Sequence, residues 1–137
     1  MQAFEWIIVL LDAAELARGL TELTARVLLK RAEVTALHLQ PLAAQQVWVG
    51  GVDPAQALTG AQGHFRLQID VTAGSNTAAQ KAAFIAAAHA DLARWLGPVH
   101  PASYVLVHEL PADSWGYGGQ TQARRAAERD RRAAVAG

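Results

Sequence analysis

The hydrophobic positions of this chain change period along its length, and each period predicts a different element. Phe4 to Leu10 is an unbroken apolar run, the pattern of a strand covered on both faces. Asp12-Ala13-Ala14-Glu15 follows as a capping box, in which Asp12 accepts from free amides and Glu15 reaches back. Leu16, Leu20, Leu23 and Val27 then recur at helical spacing, and Lys30 and Arg31 suit the negative end of a helix dipole, so a helix is expected to end near Arg31. Val34 to Leu39 is a second strand-like run, stopped by Pro41. Val47-Trp48-Val49 before Gly50-Gly51 predicts a short extended piece closed by a turn.

A stretch of small residues with Asp53-Pro54 and two glycines reads as a linker over 52–63. Beyond it the pattern begins again. Phe65, Leu67, Ile69 and Val71 alternate with Arg66, Gln68 and Asp70, the signature of a strand with one buried and one wetter face. Thr77-Ala78-Ala79-Gln80 is a second capping box, opening a helix with the stripe Phe84, Ile85, Ala88, Leu92 and Trp95 and closed by Gly97-Pro98. Tyr104 to Val107 predicts a further strand, and Trp115-Gly116-Tyr117-Gly118-Gly119 repeats the extended piece with its paired glycines.

The order strand, capped helix, strand, extended piece, Gly-Gly therefore occurs twice. Glu33 to Gly51 lies on Pro101 to Gly119 without a gap, matching Leu42 with Leu110, Ala44 with Ala112 and both glycine pairs. Two tandem β-α-β units predict a two-layer α/β domain: one four-stranded mixed sheet with both helices on one face. Unit one spans 2–51 and unit two 64–119, within a single domain over 1–123, followed by a basic tail over 124–137. The other sheet face would carry alternate residues of strands apolar on both sides, so a closed homo-oligomer is expected to cover it, with the tail or linker as the alternative cover.

Composition narrows the chemistry. The 137 residues suffice for one core. The formal charge is zero, so no overall field draws the chain to nucleic acid or to an anionic membrane, and a small-molecule ligand is the expected partner. There is no cysteine, which excludes disulfide and thiolate chemistry and suits a reducing cytoplasm. Trp6 to Leu11 is bracketed by Glu5 and Asp12 and lacks a preceding basic region, unlike a signal peptide. The histidines His38, His64, His89, His100 and His108 show no ligand spacing, so neither a metal nor a cofactor is expected. The glycine pairs lie outside the strand-to-helix setting that a phosphate cradle requires.

The run Tyr104-Val105-Leu106-Val107-His108-Glu109-Leu110-Pro111-Ala112-Asp113-Ser114-Trp115-Gly116-Tyr117-Gly118-Gly119 resembles the second strand and closing hairpin of the tautomerase superfamily. That family includes the 4-oxalocrotonate tautomerases, macrophage migration inhibitory factor and fused two-unit members. Weaker echoes in unit one are His38-Leu39-Gln40-Pro41 and Val47-Trp48-Val49-Gly50-Gly51. The resemblance implies a tautomerase-like fold, trimers with the sheets facing inward, and a keto-enol isomerase acting on small 2-oxo acids. It further implies an N-terminal proline as base, arginines before the helix cap and on the second strand, and an aromatic pocket wall. The proline position falls at Gln2 in unit one and near Gly63 in unit two, and the first proline of the chain is Pro41. Gln2 is not a base, and its bulk disfavours removal of Met1. The pre-cap positions hold Leu11 and Asn76, and the strand-arginine positions Ala36 and Tyr104. The aromatic wall carries over at Trp115.

The candidate catalytic positions are thus Met1 and Gln2, with the α-amine of Met1, ordinarily near pH ~8, as the surviving relative of the base. An extra residue displaces that amine by about 3.8 Å, and an ordinary chain end is the plain alternative. Tyr104 and His108 share a strand face and could line a polar pocket or be structural, whereas Glu109 points the other way. Trp115 and Tyr117 could wall a ligand site or fill a subunit seam. Arg124 and Arg125, in a tail holding five of the twelve basic residues, are candidates for a carboxylate clamp acting from a neighbouring subunit, or belong to a solvated helix. The competing functional reading is a non-catalytic trimeric binding or scaffold protein. A ferredoxin-like sensing domain would leave the paired Gly-Gly hairpins unexplained.

Overall fold

A computed structural model describes residues 3–58 and 63–137, with the backbone alone for 3–12, 44, 54 and 55. The second unit forms as its pattern predicts. Strand β1 (Arg66–Thr72) pairs in parallel with strand β2 (Tyr104–Leu110) in continuous register from Arg66↔Tyr104 to Thr72↔Leu110. Between them runs helix α3 (Ala78–Leu96). Its capping box is complete: the Thr77 side chain accepts from the Gln80 amide at 3.1 Å, and the Gln80 side chain accepts from the Thr77 amide at 2.9 Å. Gly97, at φ 74°, ends the helix in a conformation that glycine alone reaches cheaply.

The first unit departs from its pattern. Helix α1 (Ala3–Val27) occupies the stretch where Phe4 to Leu10 was expected to be a strand, so Asp12-Ala13-Ala14-Glu15 lies inside a helix rather than capping one. The physical reason is visible in the sequence. No glycine or proline interrupts the chain before Gly19, and a short apolar run fits either a buried strand or a buried helical segment. The helix ends at Val27 instead of near Arg31, because Leu29 turns into the left-handed region at φ 59°. Val34 to Leu39 forms no strand: a 3-10 turn covers Ala32–Val34, and irregular chain follows. With residues 4–10 helical, that run has no neighbouring strand to complete its backbone hydrogen bonds. The linker is not featureless either, since it holds the short helix α2 (Pro54–Ala57).

The architecture is a two-layer α/β fold with both long helices on one face of the sheet. Among the described residues that sheet has two strands rather than four, and a separate small hairpin pairs β3 (Gly116–Tyr117) with β4 (Gln120–Thr121). The core forms where the predicted stripes meet: Leu20, Leu23 and Leu28 from the first unit pack with Val71, Phe84 and Ala88 of the second. Leu67, Ile69, Val105 and Val107 close it from the sheet side. Ile85, expected on the α3 stripe, is instead 40% exposed, displaced from the seam by Phe84 and Ala88. Asn76 joins the units at one end, donating from Nδ2 to the Leu28 carbonyl at 3.0 Å and to Gln80 Oε1 at 3.1 Å.

Both Gly-Gly pairs make tight turns. Gly50 and Gly51 (φ 62° and 73°) bring Val49 opposite Val52, and Gly118 and Gly119 (φ 60° and 77°) do the same for β3 and β4. Positive φ at both central residues is what a two-residue hairpin requires. From this second turn the chain enters helix α4 (Gln122–Ala136), capped by the Thr121 hydroxyl, which accepts from the Arg124 amide at 3.1 Å. The expected basic tail is thus a helix.

Candidate functional site

The sheet face turned away from the helices carries the residues with chemistry. In β1 the even-numbered residues Arg66, Gln68 and Asp70 are exposed while Leu67, Ile69 and Val71 face the core. The parallel register sets Tyr104, Leu106 and His108 directly opposite them. This face is more polar than the strand pattern implied, with Tyr104 63% exposed and Leu106 partly buried as its apolar members.

A ladder of hydrogen bonds runs along it. Arg66 Nη1 donates to Gln68 Oε1 at 3.2 Å, and Gln68 Nε2 donates to Asp70 Oδ1 at 2.9 Å. His108 Nδ1 lies 2.9 Å from the same Asp70 oxygen and 3.4 Å from Gln68 Nε2. The Gln68 amide holds the Asp70 carboxyl below the usual carboxylate range, opposed in part by burial and helped by the His108 ring. An ionised Asp70 can only accept, so His108 carries its proton on Nδ1. At the far end of the face, the Trp115 indole Nε1 donates to Thr72 Oγ1 at 3.1 Å, fixing the aromatic that follows β2 against the end of β1.

The hairpin and α4 form a second cluster. The Arg125 guanidinium lies 3.8 Å from the centre of the Tyr117 ring and donates from Nε and Nη2 to the Tyr117 carbonyl at 3.3 and 2.9 Å. A cation held over an aromatic face and forked onto a carbonyl is an anchor. Arg124 points elsewhere and pairs with Glu128 at 3.4 Å.

Of the residues singled out from the sequence, Tyr104 and His108 share the open face, Trp115 borders its end, and Tyr117 and Arg125 touch each other. Met1 and Gln2 lie outside the described residues. Arg66, Gln68 and Asp70 were missed as site residues. Alternation marked them as a wet strand face, but only the register pairs Asp70 with His108. A cleft of about 240 Å³ between α1 and α3, lined by Glu15, Arg18, Glu22, Asp91, Arg94 and Trp95 among others, contains none of the candidate site residues. Among the described residues no group of acidic and histidine side chains is arranged to hold a metal ion, and no helix is long and apolar enough to cross a membrane.

This strand, helix, strand and hairpin can be compared with known proteins. A family model for tautomerase enzymes matches residues 67–125, from within β1 to the first turn of α4. Native fused 4-OT is 29% identical with a TM-score of 0.69, over 84% of this chain and 88% of that one. Residues 67–125 thus match the tautomerase family, and the chain as a whole is similar in fold to fused 4-OT. A wild-type fused 4-OT asymmetric trimer is also 29% identical, with a TM-score of 0.69 over 83% of this chain and 87% of that chain. A member of the cis-3-chloroacrylic acid dehalogenase family, 20% identical with a TM-score of 0.67 over 80% and 71% of the two chains, shares the fold. Among curated proteins none matches.

Two of the positions where the tautomerase resemblance implies functional groups make structural hydrogen bonds instead. Asn76, at the pre-cap position, seals the end of α1. The Gly63 amide donates to the Pro98 carbonyl at 2.7 Å, a bond that proline could not make. Tyr104 stands exposed at the strand position of the arginine.

Proposed function

We propose that the protein is a keto-enol tautomerase of small 2-oxo acids or their enols, working as a homotrimer with the open sheet face turned inward. The observation that carries the reading is the tautomerase match over 67–125, which includes Trp115 fixed beside Thr72 as an aromatic wall. Tyr104 and His108 on the open face, with Tyr117, Arg124 and Arg125 of the hairpin and α4, are the proposed ligand-binding groups. Met1 and Gln2 stand where the proline-dependent chemistry would begin.

The trimer is supported by similar fused 4-OT structures that are described as trimers. It is also supported by large apolar side chains left in water, among them Leu39 (48% exposed), Leu42 (60%) and Trp48 (61%), which an assembly would cover. The cysteine-free composition suits work in the cytoplasm. A second reading, a trimeric binding protein without catalysis, is favoured by one residue: Gln2 in place of the proline amine.

The two readings separate in one assay. Purified protein is incubated with enolic phenylpyruvate and with a 2-hydroxydienoate, beside Gln2→Pro, whose chain begins with proline once Met1 is removed. The enzyme reading expects ketonisation above buffer by the natural sequence and a further gain in the variant. No ketonisation by the natural sequence refutes it, and a ligand shift of the thermal midpoint without turnover then supports the binding reading. Sedimentation at a single-chain mass refutes the trimer.

A further inference from the structure

Resting on the tautomerase reading, we infer that His108 is the general base of this site, with Asp70 as its positioning residue and Arg66 as the anchor for the substrate carboxylate. The placement comes from the parallel register, which sets Asp70 beside His108 and Arg66 two strand steps away on the same face. His108 Nδ1 is committed to Asp70 at 2.9 Å, which fixes the ring orientation and leaves the Nε2 lone pair directed away from it. Nε2 has no hydrogen-bond partner among the described residues, and the side chain is 51% exposed.

Gln68 braces the pair and links it to Arg66. The Arg66 guanidinium makes its one hydrogen bond among the described residues to Gln68, so the rest of its five-donor fork is open to a carboxylate. Arg66 and His108 are thus separated by the Gln68 amide alone, which accepts from Arg66 at 3.2 Å and lies 3.4 Å from the His108 ring. That is the reach of a short 2-oxo acid whose carboxylate sits on Arg66 and whose third carbon faces His108. Tyr104 and Leu106, opposite Arg66 and Gln68, give an apolar floor, which selects acids with an aryl or alkyl substituent on that carbon.

The proton accounting closes with one base. Nε2 removes a proton from the third carbon; the C–H electron pair becomes the C2–C3 double bond, and the carbonyl π pair moves to oxygen. The imidazolium, stabilised by Asp70, returns the proton to that oxygen and gives the enol. Ketonisation is the reverse, and nothing is consumed.

The test uses the full chain with enolic phenylpyruvate. His108→Gln should lower kcat at least about 100-fold, the smaller end of what general-base catalysis supplies. His108→Ala should regain rate with added imidazole. Asp70→Asn should reduce kcat and displace the acid limb of the kcat/KM pH profile, and Arg66→Gln should raise KM more than it lowers kcat. Each side chain is exposed, and an unchanged thermal midpoint verifies folding. Natural-sequence activity that survives His108→Gln, or an alanine variant that imidazole does not rescue, overturns this assignment alone. Absence of ketonisation by the natural sequence overturns the tautomerase reading and this assignment together.

Discussion

Replacing Gly116 with alanine tests whether the hairpin that carries Trp115 is held together by close backbone approach. A Cβ built there would lie 1.9 Å from the Gln120 carbonyl oxygen, 2.7 Å from its carbon and 2.8 Å from the Thr121 Cα. Carbon and carbonyl oxygen ordinarily meet no closer than about 3.3 Å, so β4 must retreat by roughly 1.4 Å. The obstacle is backbone, and no rotamer relieves it. The Gly116↔Thr121 and Tyr117↔Gln120 pairs cannot survive that retreat. Two hydrogen bonds at about 1 kcal/mol each, with up to about 1 kcal/mol from the Arg125–Tyr117 contact, put the loss near 2–3 kcal/mol. Gly119→Ala is the control: its Cβ meets nothing within 4 Å, so the only cost is φ 77° for a non-glycine residue, about 1–2 kcal/mol. Urea unfolding measures both. Amide exchange of α4 and the Trp115 indole resonance should report hairpin opening in the first variant alone. Equal losses in the two variants, or a smaller one at Gly116, would refute the steric argument.

Two further outcomes follow from the same geometry. Leu29→Gly should stabilise the protein by about 0.5–1 kcal/mol in thermal or urea melts, because relief of a left-handed leucine outweighs the entropy glycine gains on unfolding, and little packing is lost from a side chain already 71% exposed. Stability should also fall in acid: Asp70, held low by Gln68 and His108, and Glu109, held low by Lys81 Nζ at 2.7 Å and the Gly74 amide, bind fewer protons folded than unfolded. Their contribution is therefore present above the ordinary carboxylate pKa and lost as pH drops from about 5 toward 3. Asp70→Asn with Glu109→Gln should flatten that slope in urea titrations across the range.

The second unit was legible because its signals agreed with one another. Alternation gave β1, Thr77 and Gln80 capped α3, and the glycine pair closed the hairpin, so local preference and packing pointed to one answer. The first unit was not, because Phe4 to Leu10 carries an apolar run whose length suits either element and has no breaker to choose between them. Val34 to Leu39 then depended on a partner that its own sequence does not supply. The site divides in the same way. His108 and Tyr104 could be set on one face from strand geometry alone, and Trp115 from the wording of the hairpin. Asp70 and Gln68 sit about forty residues away, and only the pairing of two parallel strands brings them to the histidine.

Asn76 carries a lesson for anyone redesigning this scaffold. Placing a cation where the tautomerase resemblance implies one looks like a single edit, yet here the amide bolts the end of α1 to the start of α3. Arginine at that place would forfeit the seam in exchange for the charge. A designer seeking a stronger grip on acids does better on the open sheet face, where Arg66 already stands and no bond between α1 and α3 must be given up.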